Sequence, residues 1–353
     1  MDTLVSPRRR TFLQACAAAA LVAGCGEARF GAARSTFAFA GPTMGSAYSV
    51  RIADVGLDDA ARAAAMSAVE SALAAVEASM SAFRPDSELS RFNAHASTRP
   101  FALSDSTYDV FALARDVSAA SGGAFDITVA PVVDAWGFGP HGERRVVGDR
   151  EVAALAPRVG FAQLALDDGA RSAAKTQPDV RADLSGIAKG YAVDRAAQAL
   201  DALGVRRYMV EAGGEIRTRG RNGDGLPWQI GIERPDAMPQ RAELVVPLAD
   251  LSIATSGDYR IWFERDGQRY CHEIDPHTGR PICNRVASVS VVAGDCGYAD
   301  AMATALIVLG ADEGLALAER ERTAACFMLR DGTGGFAVRE SGAFAALGAR
   351  HVA

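Results

Sequence analysis

The chain reads as an α+β protein, and three observations carry that reading. Helical and strand-like patterns arrive in blocks and not in regular β-α-β alternation. Strand-like runs crowd the C-terminal half, and hairpin-length turns join them as antiparallel neighbours. The 353 residues are 49% hydrophobic and 23% charged, an ordinary globular composition, long enough for one large or two smaller domains.

The elements follow in order. Ser6-Pro7-Arg8-Arg9-Arg10-Thr11-Phe12-Leu13 precedes an alanine-rich run from Ala15 to Ala23. That run is too short to cross a bilayer and fits a signal h-region, and paired arginines before it match a twin-arginine export signal. Leu21-Val22-Ala23-Gly24-Cys25 matches a lipoprotein cleavage site. Residues 1–24 are therefore read as a leader directing the chain to the periplasm. Cys25 is a candidate lipid anchor to the inner membrane, residues 25–36 are a tether, and residues 37–345 are the functional domain. The sequence holds no tract of about 20 apolar residues, so no spanning helix is expected. A net charge of −6 excludes nucleic-acid binding as the main role.

Residues 36–52 alternate apolar and polar around a Gly41–Gly45 turn and predict two strands. Residues 57–83 carry Met66, Val69, Leu73, Val76 and Met80 at helical spacing. Residues 107–121 repeat that pattern, and Gly122-Gly123 stops it. Residues 125–133 are apolar and read as a strand before a turn at 136–140. A short helix is expected over 150–161 and a hairpin over 164–179. The segment from Asp183 leads into a helix with Leu184, Ile187, Tyr191, Ala196 and Leu200 on one face, closed by Gly204 as a left-handed cap. Strands are expected at 208–210, 230–233, 243–247, 252–255, 259–264, 270–274 and 288–292. Helices follow at 299–309 and 313–320, and a strand pair ends the chain.

The segment Asp183-Leu184-Ser185-Gly186-Ile187-Ala188-Lys189-Gly190 has the chemistry of a phosphate-handling loop. Helix N-termini present unpaired N–H groups and partial positive charge to anions, and Lys189 adds a full charge. Lys189 has a second reading, as a partner of Asp183 or Asp194 on a solvated face. Asp300 and Thr304 stand four apart, so on a helix they share a face. A carboxylate and a hydroxyl so placed suit an oxygen-loving cation such as Mg2+; by spacing alone they equally suit a helix cap and a back-bonded threonine. Gly213-Gly214 marks a turn or a close approach. His272 can act as a base near neutral pH or can be structural. Six cysteines are present. No CxxC spacing points to a thiolate metal site, and Cys271 and Cys283 flank a hairpin where they could pair.

Together these segments resemble the ApbE family of FAD:protein FMN transferases. The blocks that carry the resemblance run in the family's order: Thr43 to Tyr48, Met80 to Asn93, Gly123 to Thr128, Asp183 to Asp194, Glu211 to Glu215, Ala254 to Tyr259, His272 to Pro281, and Ala299 to Leu306. The resemblance implies an ApbE-like (T-fold-like) architecture of mixed sheets with packed helices. It implies FAD as substrate, Mg2+ as cofactor, and transfer of FMN to a Thr or Ser hydroxyl with release of AMP. Carried over by position, Gly186, Asp300 and Thr304 match the metal ligands. Met44, Phe83, Ala124, Phe125, Asp126, Asp183, Lys189 and Ile274 match flavin-nucleotide contacts, and Phe83 departs where the family often has tyrosine. His272 matches the histidine suspected of activating the acceptor. The acceptor implied is a flavoprotein subunit of a membrane redox complex, of the sodium-pumping Nqr type, the Rnf type, or the NosX-like branch serving nitrous-oxide reductase maturation. An FAD pyrophosphatase and a non-catalytic periplasmic flavin-binding lipoprotein are the alternatives. Asp331-Gly332-Thr333-Gly334-Gly335 begins like the family's acceptor motif but fails later, so modification in trans is expected.

Overall fold

The computed structural model describes residues 36–54, 56–236 and 240–352. The expected twin-arginine leader, the candidate anchor Cys25 and all but the last residue of the expected tether lie outside the described residues.

An eight-stranded sheet dominates, and its spatial order follows the chain. Its strands are β1 (Phe37–Thr43), β2 (Ser46–Ile52), β3 (Tyr208–Ala212), β4 (Glu215–Arg219), β5 (Ser252–Gly257), β6 (Val286–Ala293), β7 (Ala324–Arg330) and β8 (Phe336–Glu340). Every neighbouring pair is antiparallel. The α+β expectation is borne out.

Side chains alternate across a strand, so each strand feeds two layers. On one face lie helices α1 (Asp59–Met80), α2 (Asp105–Ala120), α3 (Ala188–Ala202) and α4 (Cys296–Arg320). Val50, Val210, Ala254 and Val289 meet them in the main core. On the other face Ile253, Val292 and Met328 pack with Trp228, Ile230, Val246 and Phe344. That second layer is a three-stranded sheet of Trp228–Glu233, Ala242–Leu248 and Arg350–His351. A smaller cluster joins Val132, Trp136, Val147, Val152 and Ile274.

Helices α1 to α4 form where periodicity placed them. Asp58 caps α1 by accepting the Ala61 N–H at 2.8 Å. Its buried stripe is Ala65, Val69, Leu73, Val76 and Met80; Met66 points outward and Ala65 takes the inner position. Gly204 ends α3 at φ +80°, in the left-handed conformation glycine adopts without strain.

Three expectations are corrected. Residues 125–133 are not a strand but a 3-10 turn, Ile127–Val129, running into a helix, Ala130–Ala135. Asp126 caps the turn through Thr128 N–H at 2.7 Å, and Pro131 opens the helix. A continuous apolar run does not distinguish a buried strand from a buried helix. The two expected C-terminal helices are both present: they adjoin in α4, which starts at Cys296, and meet at a break at Gly310 (φ +79°, ψ −177°). There the Asn284 side-chain amide donates to the Ile307 carbonyl at 2.9 Å, restoring a partner at the break. By length and composition α4 could cross a membrane, but it lies in the core against β5 and β6. The expected strand at 259–264 splits, with Tyr259 in a turn and a separate hairpin, Trp262–Arg265 with Gln268–Cys271. Cys271 and Cys283 are both free thiols; the buried Cys271 faces the Glu273 and Ile282 carbonyls instead.

Candidate active site

The site is built where α3 and α4 begin. Asp183 organises the approach to α3. Its N–H donates to the Ile127 carbonyl at 2.7 Å, and its carboxylate accepts the Ser185 N–H at 2.7 Å. That turn lays Gly186 against α4. A Cβ at Gly186 would stand 3.1 Å from Thr304 Oγ1 and 3.3 Å from Phe125 Cε2, so only a bare Cα fits without displacing them.

The strand period then brings in Ser256, which the sequence placed within the Ala254–Tyr259 block without a role of its own. Ala254 of β5 belongs to the helix-side core, so Ser256, two residues on, faces the same side. Its hydroxyl lies 3.0 Å from Thr304 Oγ1. Asp300, 4% exposed, accepts the Gly190 N–H through Oδ2 at 3.0 Å. Gly190 is in the first turn of α3, where N–H groups lack helical partners, and the N-cap residue Ile187 supplies no side-chain cap. Asp300 does not cap its own helix and Thr304 does not back-bond, as spacing alone allowed.

Lys189 pairs with neither Asp183 nor Asp194. Its ammonium meets Glu215 of β4, a carboxylate only 1% exposed whose second oxygen has no partner. Burial works against the charge on Lys189, but Glu215 and then Asp300 outweigh it and hold the ammonium protonated. Burial pushes the Asp300 carboxyl up to about 7, against the pull of Lys189 and with the help of Glu215. The Gly213-Gly214 turn is a close approach: a Cβ on Gly213 would lie 3.1 Å from Glu215 Oε2, 3.3 Å from Lys189 Cδ and 3.7 Å from Ser46 Oγ. Glu215 lies 26 residues beyond Lys189 in the chain. The one signal for it was that a lysine this close to the core needs a buried counter-charge.

His272 follows the Trp262–Cys271 hairpin, its N–H donating to Ile261 at 3.1 Å. Its Nδ1 is buried without a partner, and Nε2 stands 3.7 Å from Glu273 Oε1. Burial raises the Glu273 carboxyl, opposed by His272 and Lys189, so these groups share one electrostatic neighbourhood. Asp258, at the end of the Ser256 segment, is held by two Arg330 bonds of 2.7 and 2.6 Å.

The positions matched to nucleotide contacts divide into walls and loop residues. Ala124, Phe125 and Ile274 are buried. Met44 sits in the β1–β2 turn with φ +44° beside Gly45 at +71°, a mirror-image hairpin turn, and its N–H reaches Glu77 at 3.4 Å. Phe83 is 68% exposed. Asp126 spends one oxygen on Thr128 N–H and Oγ1, both at 2.7 Å. Burial nevertheless raises its carboxyl, so a structural duty accompanies any ligand contact. Gly186, Lys189, Asp300 and Thr304 converge in the N-terminal turns of α3 and α4, while no hydrogen bond or ion pair among the described residues ties Met44 or Phe83 to them.

A sequence model of the ApbE family matches residues 44–328. This chain belongs to the ApbE family. It is 43% identical over 312 residues to an FAD:protein FMN transferase from Vibrio cholerae serotype O1, covering 88% of this chain and 91% of that one. A Haemophilus influenzae protein of the same name is 42% identical over 311 residues, covering 86% and 89%. The solved flavin transferase ApbE from Vibrio cholerae superposes with a TM-score of 0.80 at 41% identity, over 89% of this chain and 99% of that one. The apo flavinyl transferase ApbE of Pseudomonas stutzeri gives 0.80 at 39% identity, over 89% and 96%. The ApbE-like architecture expected from sequence is that of these structures.

Proposed function

We propose that this family member transfers the FMN part of FAD to a Thr or Ser hydroxyl of a target protein, forming a phosphoester and releasing AMP. The observation that carries the reading is the convergence of Gly186, Lys189, Asp300 and Thr304 where α3 and α4 begin, in a chain whose relatives bear that transferase name. A pyrophosphate carries spread negative charge, and stabilising that charge with preorganised groups supplies most of the rate in phosphoryl-type transfer. Lys189 is such a group, charged and held in place by Glu215. The first-turn N–H groups of α3 add a partial positive charge.

The donor set suits Mg2+. Among the described residues no three His, Cys, Asp or Glu side chains are grouped as metal ligands, and the candidate donors here are a carboxylate, a hydroxyl and a main-chain carbonyl. That set fits a cation that takes few protein ligands and completes its shell with water and phosphate. Asp300 has only Oδ2 engaged, by Gly190, and Thr304 Oγ1 stands beside Gly186. Asp300, Thr304 and the Gly186 carbonyl would hold Mg2+, which when bound supplies Lewis acidity to the pyrophosphate. Phe83 stacks on the flavin ring, with Met44, Ala124, Phe125, Asp126, Asp183 and Ile274 shaping the rest of the pocket. His272 takes the proton of the attacking hydroxyl, with Glu273 beside Nε2 to balance the imidazolium.

The reading includes export. Residues 1–24 direct the chain to the periplasm, Cys25 anchors it to the inner membrane through lipid, and residues 37–345 act on a flavoprotein subunit of the Nqr, Rnf or nitrous-oxide reductase maturation type. The test is incubation of the leader-free chain with FAD, Mg2+ and a candidate acceptor, followed by mass measurement. An acceptor heavier by FMN, with AMP released, supports transfer. Free FMN and AMP with an unmodified acceptor identify a pyrophosphatase, and unchanged FAD identifies a flavin store.

A further inference from the structure

The Asp183–Asp194 segment ends on a residue that the reaction does not use. Asp194 lies on α3, one turn beyond Gly190 and on the same face. It is 6% exposed. Its Oδ1 accepts the Cys296 N–H at 3.0 Å and its Oδ2 the Gly297 N–H at 2.9 Å. Those are first-turn N–H groups of α4, and the N-cap residue Asp295 makes no side-chain cap of its own. Asp300 does the converse, accepting the Gly190 N–H of α3 from α4. Each helix therefore caps the other with a carboxylate. Between the two caps the backbones touch, since a Cβ on Gly190 would stand 2.3 Å from the Cys296 carbonyl oxygen. Arg217 of β4 pairs with Asp194 and lies 3.4 Å from Asp295, tying the crossing to the sheet two residues beyond Glu215.

We infer that Asp194 is a positioning residue: by capping α4 from α3 it sets where Asp300 and Thr304 stand relative to Lys189 and Gly186. Sliding one helix past the other by a residue would break the two bonds to Asp194 and the one to Asp300 together. The inference rests on the transfer reading for its kinetic consequence, but its geometric content does not depend on that reading.

Asp194→Asn tests it. The amide keeps one acceptor and turns a donor toward an N–H, so one cap is lost with little change of volume. Sites are counted by stoichiometric FAD binding, which removes unfolded protein from the comparison. The expected result is kcat per FAD-binding site reduced tenfold or more, with the FAD Kd within threefold of wild type. Faster amide hydrogen exchange at Gly190, on the opposite side of the crossing, is expected in the same variant. Arg217→Met is the companion: it leaves both bonds to Asp194 in place, so its melting temperature falls while kcat stays within threefold. Wild-type kcat per site in Asp194→Asn overturns the inference, as does unchanged Gly190 exchange, or an Arg217→Met loss equal to that of Asp194→Asn. Wild-type protein that binds FAD but modifies no acceptor refutes the transfer reading instead, and the Gly190 exchange then decides the inference.

Discussion

Replacing Gly190 with alanine probes the contact on which the site is assembled. The added Cβ would lie 2.3 Å from the Cys296 oxygen, 2.7 Å from its carbon and 2.8 Å from Asp300 Cβ. Carbon atoms pack at about 3.5–4.0 Å, so α3 and α4 must part by roughly 1 Å. Overpacking of this kind costs about 1–3 kcal/mol. Losing the Gly190 bond to the Asp300 carboxylate costs about 1.5–3 kcal/mol more. Alanine recovers about 1 kcal/mol through its better helix propensity. The net expectation is a destabilisation of about 1.5–5 kcal/mol, the sum of those three terms, read as a lower urea midpoint with an unchanged slope. Transfer should fall about a hundredfold, the cost of a displacement near 1 Å at a reacting centre. A variant as stable as wild type would show that the helices do not touch at Gly190, and the reasoning from reciprocal capping would fail with it.

Two further outcomes follow from buried charges. Lys189→Met leaves Glu215 buried and unpaired, so it should cost about 3 kcal/mol, while Lys189→Met with Glu215→Met should cost less than the single change; additive losses in a double-mutant cycle would deny the pairing. Lys175, 2% exposed, has its ammonium held down to about 8, first by burial and then by Arg181. Between about pH 8 and the ordinary lysine value of about 10.4 the unfolded chain binds a proton that the folded chain does not, so stability should rise with pH there, by up to about 3 kcal/mol. Urea midpoints across that range should rise in wild type and stay flatter in Lys175→Met, and equal slopes would refute the assignment.

Much of this arrangement was legible because it is local. The stripe of Val69, Leu73, Val76 and Met80, the left-handed Gly204 and the shared face of Asp300 and Thr304 each follow from periodicity over a few residues. The placement of Gly186 beside Thr304 came through the family resemblance. What stayed hidden depends on pairing across the chain. Nothing near Lys189 names Glu215, nothing near Thr304 names Ser256, and no single-sequence pattern shows two helices capping each other through Asp194 and Asp300. The apolar run at 125–133 failed for another reason: it is buried from several sides, so it carries no period, and Asp126 and Pro131 settled its conformation.

The most direct test of the central claim is Asp300→Asn. The amide oxygen still accepts the Gly190 N–H, so the helix crossing survives, while the negative charge offered to the cation is gone. FAD binding by fluorescence titration should stay within a few-fold of wild type, and FMN transfer at saturating FAD should fall at least about a hundredfold, the scale of losing one preorganised electrostatic group. Transfer at the wild-type rate under limiting Mg2+, or FAD binding lost in proportion to transfer, would contradict the placing of reaction chemistry where α3 and α4 begin.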